Sequence, residues 1–325
     1  MSRTPSLNNL LPGSWRKDPA RKWANLVLFC LIVVLLFVLI TPRFSSRDKA
    51  PADWQWITCD VGQGDAHLIR IGNSSAILLD TGDNPQALKT CLDWAGIDEL
   101  EAVVLTHEHS DHYGAYSWAL ASLPVKNVVV SPYFASEKLN QLEGHVSRQL
   151  QHQPALHSLE QGSSVGFPLS NHRVQATAEV LWPPSEPQAI PGESDSSSWT
   201  NNTSLVMRWD IAPLNSQEEH LTVLTTGDLE AEAAHSIITN YGSALPSAVL
   251  KVAHHGSRGS GTDLIIAVKP QLAVVSVGQG NSYGHPHPSI MEFLEKQRIA
   301  TKRTDQQGHI AVSSHDDGLH LITSR

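Results

Sequence analysis

Cysteine is scarce in this chain, three in 325 residues, and no C-x-x-C pair occurs. This argues against a metal site organised by thiolates. Cys30 falls inside an apolar run. Cys59 and Cys91 read as buried thiols, with pairing left open for an oxidising compartment. Charge is sparse as well, at 17% of residues, and its sign is uneven. Residues 1–50 hold eight Lys/Arg against Asp18 and Asp48, a balance of +6, so the formal −9 of the whole chain leaves −15 on residues 51–325. The bulk of the chain lacks the basic balance that tracks a nucleic-acid backbone, which argues against tight duplex binding.

The one long uncharged run is ANLVLFCLIVVLLFVLI, Ala24 to Ile40. With its flanks to Pro42 it approaches the roughly 20 residues that cross a bilayer as a helix. The long leader and the lack of an A-x-A site in TPRFSSRDKA favour an uncleaved anchor over a signal peptide. Arg16, Lys17, Arg21 and Lys22 precede the run. By the positive-inside tendency this expects residues 1–23 in the cytoplasm, an anchor over 24–42, a linker over 43–53 and the main domain, 54–325, on the periplasmic or extracytoplasmic side of an inner membrane.

Beyond the linker, short β-branched runs (WQWITCDV, AHLIRIG, SAILLDTG, EAVVLTH, VKNVVVS) end at Gly, Asp, Asn or His and alternate with helical patterns such as NPQALKTCLDWAG, YGAYSWALASL and SEKLNQLEGHVSRQLQH. The second half repeats the style, with strands SLVMRWDIA, HLTVLTTGD, AVLKVAHH and LAVVSVG, helices EAEAAHSIITNYG and HPSIMEFLEKQ, and a closing hairpin expected to turn at Asp317-Gly318. Two such halves suggest a sandwich of two sheets with helices outside. Residues 183–202, rich in Pro, Ser and Gly, read as a long loop.

The segment THEHSDHYG sits where EAVVLT ends. Side chains two apart in an extended stretch point the same way, so His107 and His109 converge. Asp111 and His112 open the next helix, with Asp111 placed to cap it. Imidazole and carboxylate without thiolate suit zinc, with manganese or iron as competitors.

H-x-H-x-D-H after an apolar strand resembles the metallo-β-lactamase superfamily. LLDTG (78–82) looks like its first motif, with Asp80 supporting the metal loop; TTGD (225–228) like its bridging-aspartate motif; and HHGS (254–257) like its late histidine motif. Adding DVGQGDA (60–66), NNTSLV (201–206), LKVAHHGS (250–257) and YGHPHP (283–288), residues 54–325 resemble the metal-hydrolase domain of ComEC-type competence proteins and their stand-alone relatives. The resemblance implies a four-layer αββα domain holding two divalent ions, zinc or manganese, on His107, His109, Asp111, His112, Asp228 and His255.

Two adjacent ions generate hydroxide near neutral pH and hold the charge that develops on the attacked group. Asp228, at a strand end, can bridge them or cap the helix after it. The comparison assigns His255 as ligand and His254 as a phosphate or acid/base group. One departure stands out: the superfamily's third histidine for the first ion has no counterpart here, where NNTS occupies the middle motif. His152, His157 and His172 lie in no metal context, so Asn202 or water is expected to complete that site, and Asn201, Asn202 and Ser204 are candidates for a substrate phosphate. His285 or His287, before a helix N-terminus, can meet a phosphoryl oxygen or protonate a leaving group. DVGQGDA reads as a glycine turn whose Asp60 and Asp65 satisfy backbone donors, with no part in catalysis.

The expectation is a membrane-anchored metal-dependent hydrolase of phosphodiesters, with Asp111, His254, Asn202 and His285 as its catalytic groups. Its rivals are hydrolysis of a lactone or phosphocholine ester and a non-catalytic DNA-uptake accessory. The multi-span channel part of ComEC-type proteins has no counterpart in the chain, so the DNA pore itself is not expected here.

Overall fold

In Ser75–Leu79, alternate side chains leave in opposite directions and every one but the first is buried. Ala76 and Leu78 join one hydrophobic cluster; Ile77 and Leu79 join another. A strand buried on both faces needs a partner layer on each side, and this requirement organises the domain. A computed structural model describes residues 49–146, 154–167, 176–193, 196–212 and 220–325. The expected anchor, residues 24–42, the leader before it, the start of the linker, His152 and His172 lie outside the described residues. Among the described residues no helix is long and apolar enough to cross a membrane.

Fifteen strands are described: β1 Trp56–Thr58, β2 His67–Arg70, β3 Ser75–Leu79, β4 Glu99–Leu105, β5 Val125–Val130, β6 Ala155–Ser158, β7 Ser164–Phe167, β8 Ala176–Trp182, β9 Val206–Ile211, β10 Leu221–Thr225, β11 Val249–Lys251, β12 Leu272–Val275, β13 Ala300–Arg303, β14 Ile310–His315 and β15 Gly318–Thr323. They form an eight-stranded sheet, β15-β14-β1-β2-β3-β4-β5-β6, and a seven-stranded sheet, β13-β12-β11-β10-β9-β8-β7. In each, a parallel run (β3 to β6; β10 to β13) continues into an antiparallel one.

Helices cover the outer faces. Helix α1, Pro85–Ala95, crosses from β3 to β4. Its start is written locally: Asn84 Oδ1 accepts from the amides of Gln86 and Ala87, Pro85 needs no donor there, and Gly96 ends it in a left-handed conformation. Its Leu88, Cys91 and Leu92 pack with Ile57, Leu78 and Leu105 on one outer face. Ile237, Ile265, Ile290 and Leu294 do the same against Leu224, Leu250 and Val275 on the other. Between the sheets lie Trp56, Ile77, Val104, Met207, Trp209, Val223 and Val274. Each such aliphatic side chain contributes roughly 1.5–3 kcal/mol on burial. The order helix, sheet, sheet, helix is the expected four-layer arrangement.

Several details differ from the sequence reading. Cys59 and Cys91 are bonded, tying the end of β1 to α1, because strand and helix stack with both thiols fully buried. YGAYSWALASL is two short helices, α2 Ser110–Tyr113 and α3 Tyr116–Ser122, separated at Gly114-Ala115. The loop over 183–202 ends in a helix. The helix over SEKLNQLEGHVSRQLQH is α4, described as Ser136–Val146, and the loop's end is α5, Ser197–Asn202, capped by the Ser196 hydroxyl on Trp199 N. The tail hairpin turns at Asp316-Asp317, one residue early, so that Gly318 pairs with His315 at φ 122°.

Candidate metal centre

The C-terminal ends of β3, β4, β10 and β11 open on one crevice, where open α/β sheets place their ligands. Asp80 follows β3, His107 follows β4, Asp228 follows β10, and His254 and His255 follow β11.

Asp80 is the buried anchor of the histidine loop, at φ 53°. Its carboxylate accepts from Thr106 N, Thr106 Oγ1 and His112 Nδ1, each at 2.8 Å. His107 and His109 do converge: Nε2 of the first is 3.1 Å from Nδ1 of the second. His107 Nδ1 lies 3.2 Å from both Thr106 Oγ1 and Ser204 Oγ. Those hydroxyls give their protons to Asp80 and to Asn201 O. The network thus puts the His107 proton on Nδ1 and a lone pair on Nε2.

The same logic runs through the other histidines. His112 Nδ1 donates to Asp80, and His255 Nδ1 donates to Ser276 O at 2.9 Å. Their Nε2 atoms are left as acceptors. They face more acceptors: His112 Nε2 is 3.1 Å from Asp228 Oδ1, and His255 Nε2 is 3.5 Å from Asp228 Oδ1 and 3.4 Å from Asp111 Oδ2. His112 Nε2, His255 Nε2 and Asp228 Oδ1 are buried with no hydrogen-bond partner. One donor atom from each of Asp111, His112, Asp228 and His255 lies within 4.8 Å of the others. Lone pairs and carboxylate oxygens pointed at one another in a buried space repel unless a cation or protons stand between them. Two histidines and two carboxylates form a donor set that fits zinc or manganese.

The electrostatics agree. Burial opposes charge on His112, yet Asp228 and Asp80 hold its pKa well above the usual imidazole value; His255 is raised likewise by Asp228 and Asp65 against its burial. Burial raises Asp228, but the His112 and His255 charges override it and hold the carboxylate well below its ordinary range. His107 is pushed well down by burial and by His112. The rings of His112 and His255, unlike that of His107, draw a positive charge inward, as ligand atoms must.

His254 and His255 are both left-handed, at φ 49° and 53°, not extended as the sequence reading assumed. Each such residue costs on the order of 1–3 kcal/mol, and strain of this kind collects at functional sites. The twist sends His255 inward. His254 goes to the cleft, Nε2 3.7 Å from Asp228 Oδ2 and Nδ1 3.9 Å from Glu230 Oε1. The cleft has a volume of about 250 Å³ and is lined by His109, Asp111, Asn201, His254, Tyr283 and His285 among others. Burial, then the His254 charge, lowers His285 to about 4.

Four expectations need correction. Asp111 does not cap a helix; it lies inside α2, whose N-cap is His109, and its carboxylate turns to His255. Asp228 is not the cap of the helix after it, α6, Ala231–Tyr241, which starts at Glu230. Asn202 is consumed by the fold: its Oδ1 accepts from Glu230 N, its Nδ2 donates to Pro191 O, and its carbonyl accepts from Trp182. Its neighbour Asn201 faces the cleft instead, with a buried Oδ1 that has no partner. His287 caps the next helix, Pro288–Lys296, through Nδ1, which leaves His285 as the cleft residue of YGHPHP.

Sequence reasoning missed Asp65 and Lys251. Asp65 does not serve backbone donors. It is fully buried in an ion pair with Lys251, and lies 3.4 Å from His255 Nδ1 and 3.7 Å from His112 Nδ1. Lys251 Nζ also donates to Gly227 O at 2.7 Å and sits 3.8 Å from Asp228. Burial raises Asp65, but Lys251 and His255 hold it well below its ordinary value. The turn can press this close because Gly64 has no Cβ: one would stand 2.2 Å from Asp111 O. A lysine one residue before VAHH was the available signal.

Residues 59–198 match the family described as the metallo-beta-lactamase superfamily. The match takes in Asp65, Asp80 and the His107–His112 cluster, while Asp228 and His255 join that cluster from beyond it. The chain is 28% identical over 302 residues to ComE operon protein 3 of Bacillus subtilis, covering 86% of this chain and 34% of that protein. It is 29% identical over 292 residues to competence protein ComA of Neisseria gonorrhoeae, covering 89% and 35%. The chain thus spans about a third of the length of these relatives. Among solved structures, Igni18, a metallo hydrolase from Ignicoccus hospitalis, superposes with a TM-score of 0.47 at 13% identity over 79% of this chain and 99% of that one.

Proposed function

We propose that this chain is a metal-dependent hydrolase of phosphodiester bonds, anchored in an inner membrane by residues 24–42 with its domain on the extracytoplasmic side. The observation that carries the hydrolase reading is the set of Asp111, His112, Asp228 and His255, in which the buried and unpartnered His112 Nε2, His255 Nε2 and Asp228 Oδ1 face one another beside the half-buried Asp111. His107 and His109, whose rings converge, would hold a second ion. Bound divalent metal supplies a low-pKa water and charge stabilisation for the phosphoryl group.

The chain's own residues do the rest. Asp80 and Ser276 O fix the ring orientations of His112 and His255 through their Nδ1 protons. Lys251 and Asp65 brace Asp228 and His255 from below. His254, in the cleft and near Asp228, is placed to hold or move a proton at the leaving oxygen. Asn201 donates Nδ2 to Glu230 Oε1 and leaves its buried Oδ1 to accept from a hydroxyl or water. A buried disulfide at Cys59–Cys91 suits an oxidising compartment, which supports the extracytoplasmic placement.

Metal analysis of the purified full-length chain, with bis-p-nitrophenyl phosphate, a lactone, a phosphocholine ester and a β-lactam offered to the same sample, tests this reading. Close to two transition-metal ions and metal-dependent turnover of the phosphodiester are expected. A metal-free protein, or turnover of the other esters alone, would overturn it. A reporter fused after Arg325 should be active only in its extracytoplasmic form.

A further inference from the structure

We infer that Tyr283 and His285 form a stacking subsite for a planar ring carried by the substrate, a nucleobase, next to the metal centre; this rests on the phosphodiesterase reading. Tyr283 is 70% exposed, the most exposed of the large apolar side chains among the described residues, and it lines the same cleft as the metal donors.

The ring is held there. Tyr283 stacks on His285 at 5.9 Å and 15°, and His285 in turn touches His254 at 5.5 Å and His255 at 6.4 Å between centroids. Asn281 fixes the loop from beneath: its Oδ1 accepts from the amides of Tyr283 and His285, and its Nδ2 donates to the carbonyls of Gly278 and His285. Gly284 between the two rings takes φ 75°, which turns both side chains to one side. The aromatic face is thus presented in advance, two ring contacts from His255.

The cleft's composition says which force it uses. None of its lining residues is Lys or Arg. A phosphate backbone therefore finds no cationic track beyond the metal site, and affinity must come from the bound metal and from the flat face of Tyr283. Base–aromatic stacking does not depend on base identity and is lost when the aromatic ring is removed. A base whose sugar is esterified to a phosphate at the metal centre would leave the cleft beside Tyr283.

The test uses metal-loaded full-length protein and two tetranucleotide probes with phosphorothioate links, one carrying thymine on each sugar and one with no bases, compared by calorimetry. Charge and length are equal, so only stacking separates them. Wild type should prefer the thymine probe by about tenfold. Tyr283→Ala should erase that preference with metal content unchanged, and Tyr283→Phe should keep it. Equal affinity of wild type for the two probes, or a preference that survives Tyr283→Ala, would overturn the inference. Hydrolysis of bis-p-nitrophenyl phosphate on the same samples separates the two layers: hydrolysis without base preference sinks the subsite alone, whereas base preference without hydrolysis supports the subsite and sinks the phosphodiesterase.

Discussion

Lys251→Met is the most informative single change in the support beneath the metal centre. Methionine fits an aliphatic stem of similar length, but it leaves Asp65 fully buried without its ammonium partner, with only the more distant His255 and His112 rings against it. Removing one partner of a buried ion pair costs about 3–5 kcal/mol, because the remaining charge is uncompensated. For a domain of this size, roughly 2–4 °C of melting temperature accompany each kcal/mol, so a fall of about 6–20 °C is expected. Asp65→Asn alone should also destabilise, since it strands the ammonium beside Gly227 O and Asp228. The double variant Asp65→Asn/Lys251→Met should recover a substantial part of the loss, as neither charge then lacks its partner. The pH dependence has a definite sign. In wild type the Asp65 pKa is depressed, so its contribution is present above the unfolded value and is lost only as pH falls below 3.8 toward the folded one. In Lys251→Met, burial acts on Asp65 without its largest opposing charge. Its pKa rises, and the penalty shrinks as acid supplies the missing proton. Thermal melts of the four proteins at neutral and acid pH give the cycle. A Lys251→Met melt within a degree or two of wild type, or a double variant no better than the worse single, would refute this account of the pair.

Other outcomes follow from the same geometry. Asp228→Asn and His255→Ala should each lose metal by elemental analysis, and Asp228→Asn should lower phosphodiester turnover on the order of 100-fold or more even at saturating metal; unchanged metal content in both would remove them from the donor set. His254→Ala should keep its metal and lose roughly 100-fold or more in rate, with the pH profile altered, as expected for a proton-transfer group outside the donor set. His309, lowered to about 4 by burial and by the Arg325 charge, accepts from Asp60 N in the fold. Its depressed value means stability is lost as pH falls from about 6.5 to 4, so His309→Gln should flatten that limb of an acid-melting series; an unchanged limb would count against it.

Much of the domain was legible before any coordinates, because it is local. Alternation in SAILL and EAVVL, with β-branched residues and turn signals at their ends, is a property of a few consecutive side chains, and so is the Asn84-Pro85 start of α1. The metal loop was legible for the same reason: His107, His109, Asp111 and His112 share one turn, and a strand end dictates which of them converge. What the tertiary structure decided is what meets that turn from far along the chain. No local pattern separates Asn201 from Asn202, yet packing gives Asn202 to Glu230 and Pro191 and leaves Asn201 in the cleft. The left-handed turn at His254-His255 follows from the packing after β11, and it determines which ring goes inward. Cys59 and Cys91 bond because β1 and α1 stack, and Asp65 abandons its own turn because β11 delivers Lys251 beneath it. Buried charges must be paired, and which partner is within reach is a question of chain topology, which spacing along the sequence does not encode.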